Sequence, residues 1–317
     1  MKQFMEEVFE AVRNEIPEML RDEIQVQIRE VVKTNDEVLH GISVAIPGRN
    51  CMPTIYLEDC YEDYKTGKSV DTIAKGIIAT SIEAYIQAPA LDEMSLEYDE
   101  IKDKVIVQLV DAEINKERLK EVVYKPIENG YVLVPFIVVK EDDRGSMRAA
   151  ISKEMAKDFD YDMDILMEKA VANTVDRYAP IFMGMTAMFG LKYSPEMMNP
   201  MREDFEIDQH LGMYVLSNTK QSEGATALIY PDVTKRIGDI LGDNYYVLPS
   251  SLHEVIIVPE STNLTLNELQ KMVKEANRTV VENSDILSDR VLYFDREKEK
   301  LIEPKTRERE CAERSER

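Results

Sequence analysis

The stretch YYVLPSSLHEVIIVPE, residues 245–260, gathers Ser250, Ser251, His253 and Glu254 into five consecutive positions. These are the residue types of hydroxyl-based nucleophilic catalysis. A serine attacks well only when an imidazole takes its proton, and the imidazole needs a carboxylate to fix its tautomer. The spacing argues against a triad inside this block. In an extended strand adjacent side chains face opposite ways, so His253 shares a face with Val255 and Ile257, and Glu254 shares the other with Ile256 and Val258. Glu254 then cannot orient His253. A working triad also draws its members from distant parts of a chain. PSS is therefore expected as the corner between two apolar strands, its hydroxyls bonded to local backbone. Ser250, Ser251, His253 and Glu254 remain the candidate catalytic or binding residues.

A second constellation, DFDYDMD, sets Asp158, Asp160, Asp162 and Asp164 at alternate positions, like the start of a calcium loop. Such a loop needs glycine sixth, for its sharp turn, and a bidentate glutamate twelfth. Met163 and Lys169 stand there instead. The acids fit the N-terminus of a following helix, where negative charge is favoured. No phosphate-cradling glycine loop, H-E-x-x-H or G-x-S-x-G occurs. His40, His210 and His253 are dispersed, and Cys51, Cys60 and Cys311 have neither zinc spacing nor a disulfide framework. No metal and no cofactor is expected.

The elements that must position these residues are legible from periodicity. Phe4, Val8, Val12 and Ile16 mark an amphipathic helix ending near Pro17. IQVQIREVV and VLHGISVAIP, joined by KTND, predict an antiparallel strand pair, with His40 as a structural strand histidine. A short helix stops at Gly67, and Ser69 caps a longer one whose buried face is Val70, Ile73, Ile77, Ile78, Ile82 and Tyr85. The acidic APALDEMSLEYDE predicts a loop, and KVIVQLVDA a strand. YVLVPFIVV and the segment after the turn EDDRG predict two more strands, with Pro135 at an edge or bulge. IFMGMTAMF is methionine-rich core. MYVLSN and EGATALIY read as strands, PDVTKRIGDILG as a helix closed by Gly242, and YYVLP and HEVIIVP as strands. TLNELQKMVKEANRTVV carries a capping box at Thr265 and Glu268 and a stripe of Leu266, Leu269, Val273, Ala276 and Val280. RVLYFDREKEKLI closes as a strand or hairpin.

The fold class expected is α+β, with mixed, largely antiparallel sheets and packed helices. Residues 1–125 and 126–303 form two parts, and 304–317 a disordered charged tail. The chain has 317 residues, 44% of them hydrophobic, and a formal net charge of −22. That charge repels phosphate backbones, so direct nucleic-acid binding is not expected, whereas a partner with a basic surface is compatible. The longest apolar run, YVLVPFIVV, is about half a membrane-spanning helix. The acidic N-terminal segment lacks the apolar core of a signal peptide. The cytoplasm is the expected compartment.

Several blocks together resemble a bacterial family catalogued as domain of unknown function 5688: GMYVLSN (212–218), GATALIYPDV (224–233) and YYVLPSSLHEVIIVPE (245–260), in that order. PTIYLEDCYEDYKTGKS, KAVANTVDRYAP and ILSDRVLYFDREKEKLI are similar to it as well. The C-terminal half more remotely resembles domain of unknown function 1444. Neither resemblance implies an activity, a cofactor or catalytic residues. The leading expectation is a binding or regulatory module acting through protein contacts. The alternatives are a hydrolase-like enzyme built on Ser251 and His253, and an acidic mimic of nucleic acid that occupies a basic cleft. Oligomeric state is open.

Overall fold

The computed structural model describes residues 1–46, 53–87, 96–142, 145–186 and 195–304. It forms two compact units, Met1–Leu96 and Glu97–Arg317. In the first, α1 (Lys2–Glu15) buries Phe4, Val8 and Val12, because side chains four residues apart stack on one helical face. They pack with Ile42, Val44, Leu57, Ile73 and Ile77. The predicted strand pair is β1 (Gln25–Val32) and β2 (Val38–Ala45), joined through Asn35 at φ 61° and extended by β3 (Thr54–Tyr56). His40 is held by one carboxylate: Glu58 Oε1 accepts its backbone N–H at 2.9 Å and lies 2.9 Å from its Nδ1.

Two helices complete this unit, α2 (Leu57–Lys65) and α3 (Val70–Gln87). Ser69 Oγ caps α3 by accepting from Thr72 N at 3.2 Å. Ile73, Ile77 and Tyr85 face inward as expected, and the Tyr85 hydroxyl donates to Val44 O at 2.7 Å. Ile82 does not. It is 50% exposed, and Ala74 and Ser81 take the buried positions instead. The inward row runs 73, 77, 81, 85, and Ile82 stands about 100° around the helix from Ser81.

The second unit opens with α4 (Tyr98–Ile101), β4 (Val105–Asp111), α5 (Arg118–Glu121), β5 (Lys125–Pro126), β6 (Tyr131–Asp142) and β7 (Gly145–Ala150). β6 pairs with the whole of β4 on one side, and with β5 and then β7 on the other. The division expected at residue 125 therefore differs from the compact units, because β4 and β6, on either side of it, share one sheet. Pro135 sits inside this pairing, opposite Val107. The Val107 N–H points away from it, to Thr174 Oγ1 at 2.9 Å. The proline's other side falls between the last β5 pair, at Leu133, and the first β7 pair, at Phe136. No ladder bond is lost there.

β4 is an edge strand, yet side chains meet its outward backbone. Thr174 Oγ1 accepts from Val107 N, Thr226 Oγ1 accepts from Leu109 N at 3.2 Å, and Asn173 Nδ2 donates to Val105 O at 2.8 Å. Thr174 and Asn173 belong to α6 (Met163–Arg177), capped by Asp162, which accepts from Asp164 N at 2.8 Å. That capping is the role expected of the aspartate run.

A six-stranded antiparallel sheet follows, in the order β13-β12-β10-β11-β9-β8. Its strands are β8 (Pro180–Gly184), β9 (Tyr214–Asn218), β10 (Tyr245–Leu248), β11 (Val255–Pro259), β12 (Leu292–Asp295) and β13 (Lys300–Ile302). EGATALIY is not a strand. Gly224–Ile229 is a 3₁₀ segment, buried from Gly224 to Leu228. Its first N–H groups go to Leu252 O, from Ala225, and to Glu223 O, from Thr226, so no ladder partner is engaged. α7 (Val233–Leu241) ends at Gly242, φ 68°, in the left-handed conformation glycine adopts freely.

α8 (Leu266–Thr279) begins with the expected capping box, Thr265 and Glu268. Leu269 and Val273 pack on Leu248, Val258 and Val291, while Val280 is 80% exposed, beyond the end of the helix. Because Leu269 is fully buried, Leu269→Ala should cost ~2–5 kcal/mol in a denaturant melt. A loss under ~0.5 kcal/mol, the scale of a neutral surface change, would show that α8 contributes no core. The class is α+β. The turn at 143–144, the methionine and phenylalanine of 188–189, much of the acidic loop and the tail 305–317 lie outside the described residues. Among the described residues no helix is long and apolar enough to cross a membrane.

Candidate functional site

The link Pro249–Glu254 joins β10 to β11. β11 starts only at Val255, so strand alternation does not govern His253 and Glu254, contrary to expectation. Ser251 Oγ accepts from His253 N at 2.9 Å, and this serine turn bends the chain before the strand begins. The block's backbone then fastens two other segments. Ser288 N donates to Pro249 O, Leu287 N to Ser250 O and Leu252 N to Asp285 O, at 2.9, 3.1 and 2.8 Å. On the opposite side Ala225 N donates to Leu252 O at 3.0 Å, and Ser217 Oγ to His253 O at 2.7 Å. Ser250 and Ser251 are buried. Glu254 is half-buried and forms no hydrogen bond or ion pair among the described residues.

The imidazole of His253 has its own partners. Its Nδ1 accepts the backbone N–H of Glu223 at 3.2 Å. That leaves the proton on Nε2, which lies 3.2 Å from Asp285 Oδ2. A neutral imidazole has one lone pair in its plane, and here a backbone amide occupies it. His253 is therefore a hydrogen-bonding brace, with no lone pair available to take a serine proton.

Glu223 links this brace to the other sheet. It adopts φ 55°, ψ 26°, a left-handed conformation that costs an L-residue ~1–2 kcal/mol. Its side chain explains why the conformation persists. The carboxylate receives Arg148, from β7, through two guanidinium nitrogens, and Gln108 Nε2, from β4, at 2.8 Å. Arg148 lies over the Phe136 ring, 4.3 Å from its centroid. Burial lowers the Arg148 guanidinium to about 10, which leaves it charged at neutral pH. Gly224 comes next because nothing larger fits: a Cβ there would stand 2.5 Å from His253 O and 2.7 Å from Asn218 N.

A second, partly buried ion pair lies at the end of β4. Asp111 Oδ2 accepts from Arg290 at 2.6 Å and from Ser288 Oγ at 2.8 Å. The Arg290 guanidinium lies over the Tyr131 ring, and burial pushes the Tyr131 phenol up to about 12. In both clusters each charge is met by a fixed partner. Among the described residues no group of three or more His, Cys, Asp or Glu is arranged to hold a metal ion.

The sequence thus nominated two members of a larger assembly, Ser251 and His253. It missed Ser217, Glu223 and Asp285, which bond the block, and Gln108 and Arg148, which hold Glu223. Gly224 was the available signal, because glycine is used where backbone must approach closely. His253→Ala removes the acceptor of a backbone N–H and should lower stability by ~1 kcal/mol, and Ser251→Ala by ~0.5–1.5 kcal/mol. Thermal melts of both, beside a broad panel of esters, amides and phosphoesters, check this. Turnover that both variants lose with unchanged melts would make the block catalytic.

No curated protein and no solved structure matches the chain. The remoter likeness to domain of unknown function 1444 finds no support. A family described as a family of unknown function (DUF5688) matches residues 1–296. With its serine–histidine block built as a brace between two sheets, the chain belongs to that family.

Proposed function

We propose that the chain is a cytoplasmic binding module that acts through protein contacts. The observation carrying this reading is the outer face of α3. Ala79, Ile82 and Ile86 are exposed there at i, i+3 and i+7, with Ile82 at 50% and Ile86 at 72%. This is the spacing of the anchors that an amphipathic helix lays into an apolar groove. Glu83, beside them, is exposed as well. The partner we assign is a protein with an apolar groove rimmed by basic residues, in keeping with the net charge of −22. The cytoplasm is favoured by three cysteines without a paired framework. A hydrolase is disfavoured because the His253 lone pair is occupied. The nucleic-acid mimic rests only on the net charge.

The test compares wild-type protein with an Ile82→Asp/Ile86→Asp variant in affinity capture from native lysate. The substitutions are at exposed sites and should leave stability within ~0.5 kcal/mol. A protein held by the wild type and lost by the variant is expected, and association should slow as salt screens the charges. Equal capture by both proteins, or turnover abolished by His253→Ala, would overturn the reading.

A further inference from the structure

The second unit contains a cleft of about 230 Å³ where its two sheets meet. Its floor is apolar and buried: Leu109 from β4, Tyr131 from β6, Leu228 from the 3₁₀ segment and Leu292 from β12. Ile229 and Leu301 form half-buried walls. Interiors normally close down to voids little larger than a water molecule. Space on this scale with such a lining offers water few hydrogen bonds, whereas smaller apolar cavities are known to stay dry and take up benzene.

The rim is fixed by polar contacts within the protein, so the cleft exists before any ligand arrives. Asn129, at φ 59°, donates from Nδ2 to Leu301 O at 3.1 Å. Glu128 pairs with Lys300 at 2.8 Å. These two contacts tie the β5–β6 connection to β13. They also set the rim's polarity. Asn129 offers Oδ1 and one remaining N–H, and the exposed Glu128 carboxylate has acceptor sites beyond those facing Lys300. The rim is therefore richer in acceptors than in donors.

The geometry points to a binding site for a compact apolar molecule, one or two rings in size, carrying a hydrogen-bond donor at one end. The ring system fills the leucine-lined floor, and the donor meets Asn129 or Glu128. This site is separate from the α3 face and from the serine–histidine brace. Its occupancy adds a small-molecule ligand to a chain whose other surface contacts protein.

Indole is the probe, because it is two fused rings with one N–H, and N-methylindole is its donor-free counterpart. Titration into the full-length protein, followed by leucine methyl resonances, should show saturable binding of indole. Binding of N-methylindole should be about 2- to 10-fold weaker, the value of one hydrogen bond. Indole should also raise the thermal midpoint, since a ligand selective for the folded state stabilises it. Ile229→Trp, which fills the cleft from a half-buried wall, should abolish binding with the fold retained, and Leu301→Trp provides the same block from the opposite wall. Absence of saturable binding up to millimolar indole would overturn the site. So would undiminished binding by both tryptophan variants, and equal affinity for N-methylindole would overturn the donor assignment.

Discussion

Gly224→Ala is expected to lower stability by ~3 kcal/mol, at the upper end for an overpacked position. The new methyl would lie 2.1 Å from Ser217 Oγ, 2.5 Å from His253 O and 2.7 Å from Asn218 N. Ser217 can change rotamer, but the other two atoms are backbone. Asn218 is held in β9, and the His253 carbonyl is fixed by the serine turn below it. Relief therefore requires β9 and the β10–β11 link to separate, which breaks the Ser217–His253 and Glu223–His253 hydrogen bonds together. A urea melt beside Gly212→Ala, where nothing stands within 4 Å of the added methyl, isolates the steric effect. The control should stay within ~0.5 kcal/mol of wild type. A Gly224→Ala midpoint equal to that of the control would show that the block can open without cost.

Glu223→Ala should be nearly as damaging, at ~3 kcal/mol, the low end for breaking a buried ion pair, because about a fifth of Arg148 reaches solvent. The substitution leaves Arg148 over the Phe136 ring with no carboxylate, and Gln108 with its amide donor unmet. Neither can leave easily, since β4 and β7 are both pinned to β6. Replacing the pair together, Arg148→Met with Glu223→Leu, should recover most of the loss, because two apolar groups need no partners. A double variant as unstable as Glu223→Ala would locate the effect in the left-handed backbone at 223. Loss of less than ~1 kcal/mol in the single variant would mean that solvent replaces the carboxylate.

Local signals were legible where one segment decides its own structure. Thr265 and Glu268 satisfy each other's backbone, Gly242 supplies the left-handed helix end, and Asp162 caps the helix it precedes. Faces were legible until the pattern became ambiguous. Ser81 and Asn277 are buried polar residues that hydropathy counts as outside, so Ile82 and Val280 were placed inward in their stead. GATALI has a strand's composition, but its place beneath β9 and the Leu252 carbonyl dictates tight turns. The candidate site was the least legible part. His253 is oriented by an amide 30 residues earlier and a carboxylate 32 residues later, and no spacing rule connects them. Glu254 does not orient His253, yet strand alternation is not the cause, since both residues lie ahead of β11.

The edge of β4 has a consequence for behaviour in a crowded solution. An open strand edge is a template on which another chain can add a strand, and a run as apolar as VIVQLV would be a potent one. Here the hydroxyls of Thr174 and Thr226 accept the amides of Val107 and Leu109, so the template is stoppered by the molecule's own side chains. The two stoppers come from different elements, a long helix and a short 3₁₀ segment. Loosening of either element would free part of the edge for pairing with another chain. Protection of this edge thus rests on Thr174, Thr226 and Asn173, side chains that belong to no part of the serine–histidine block.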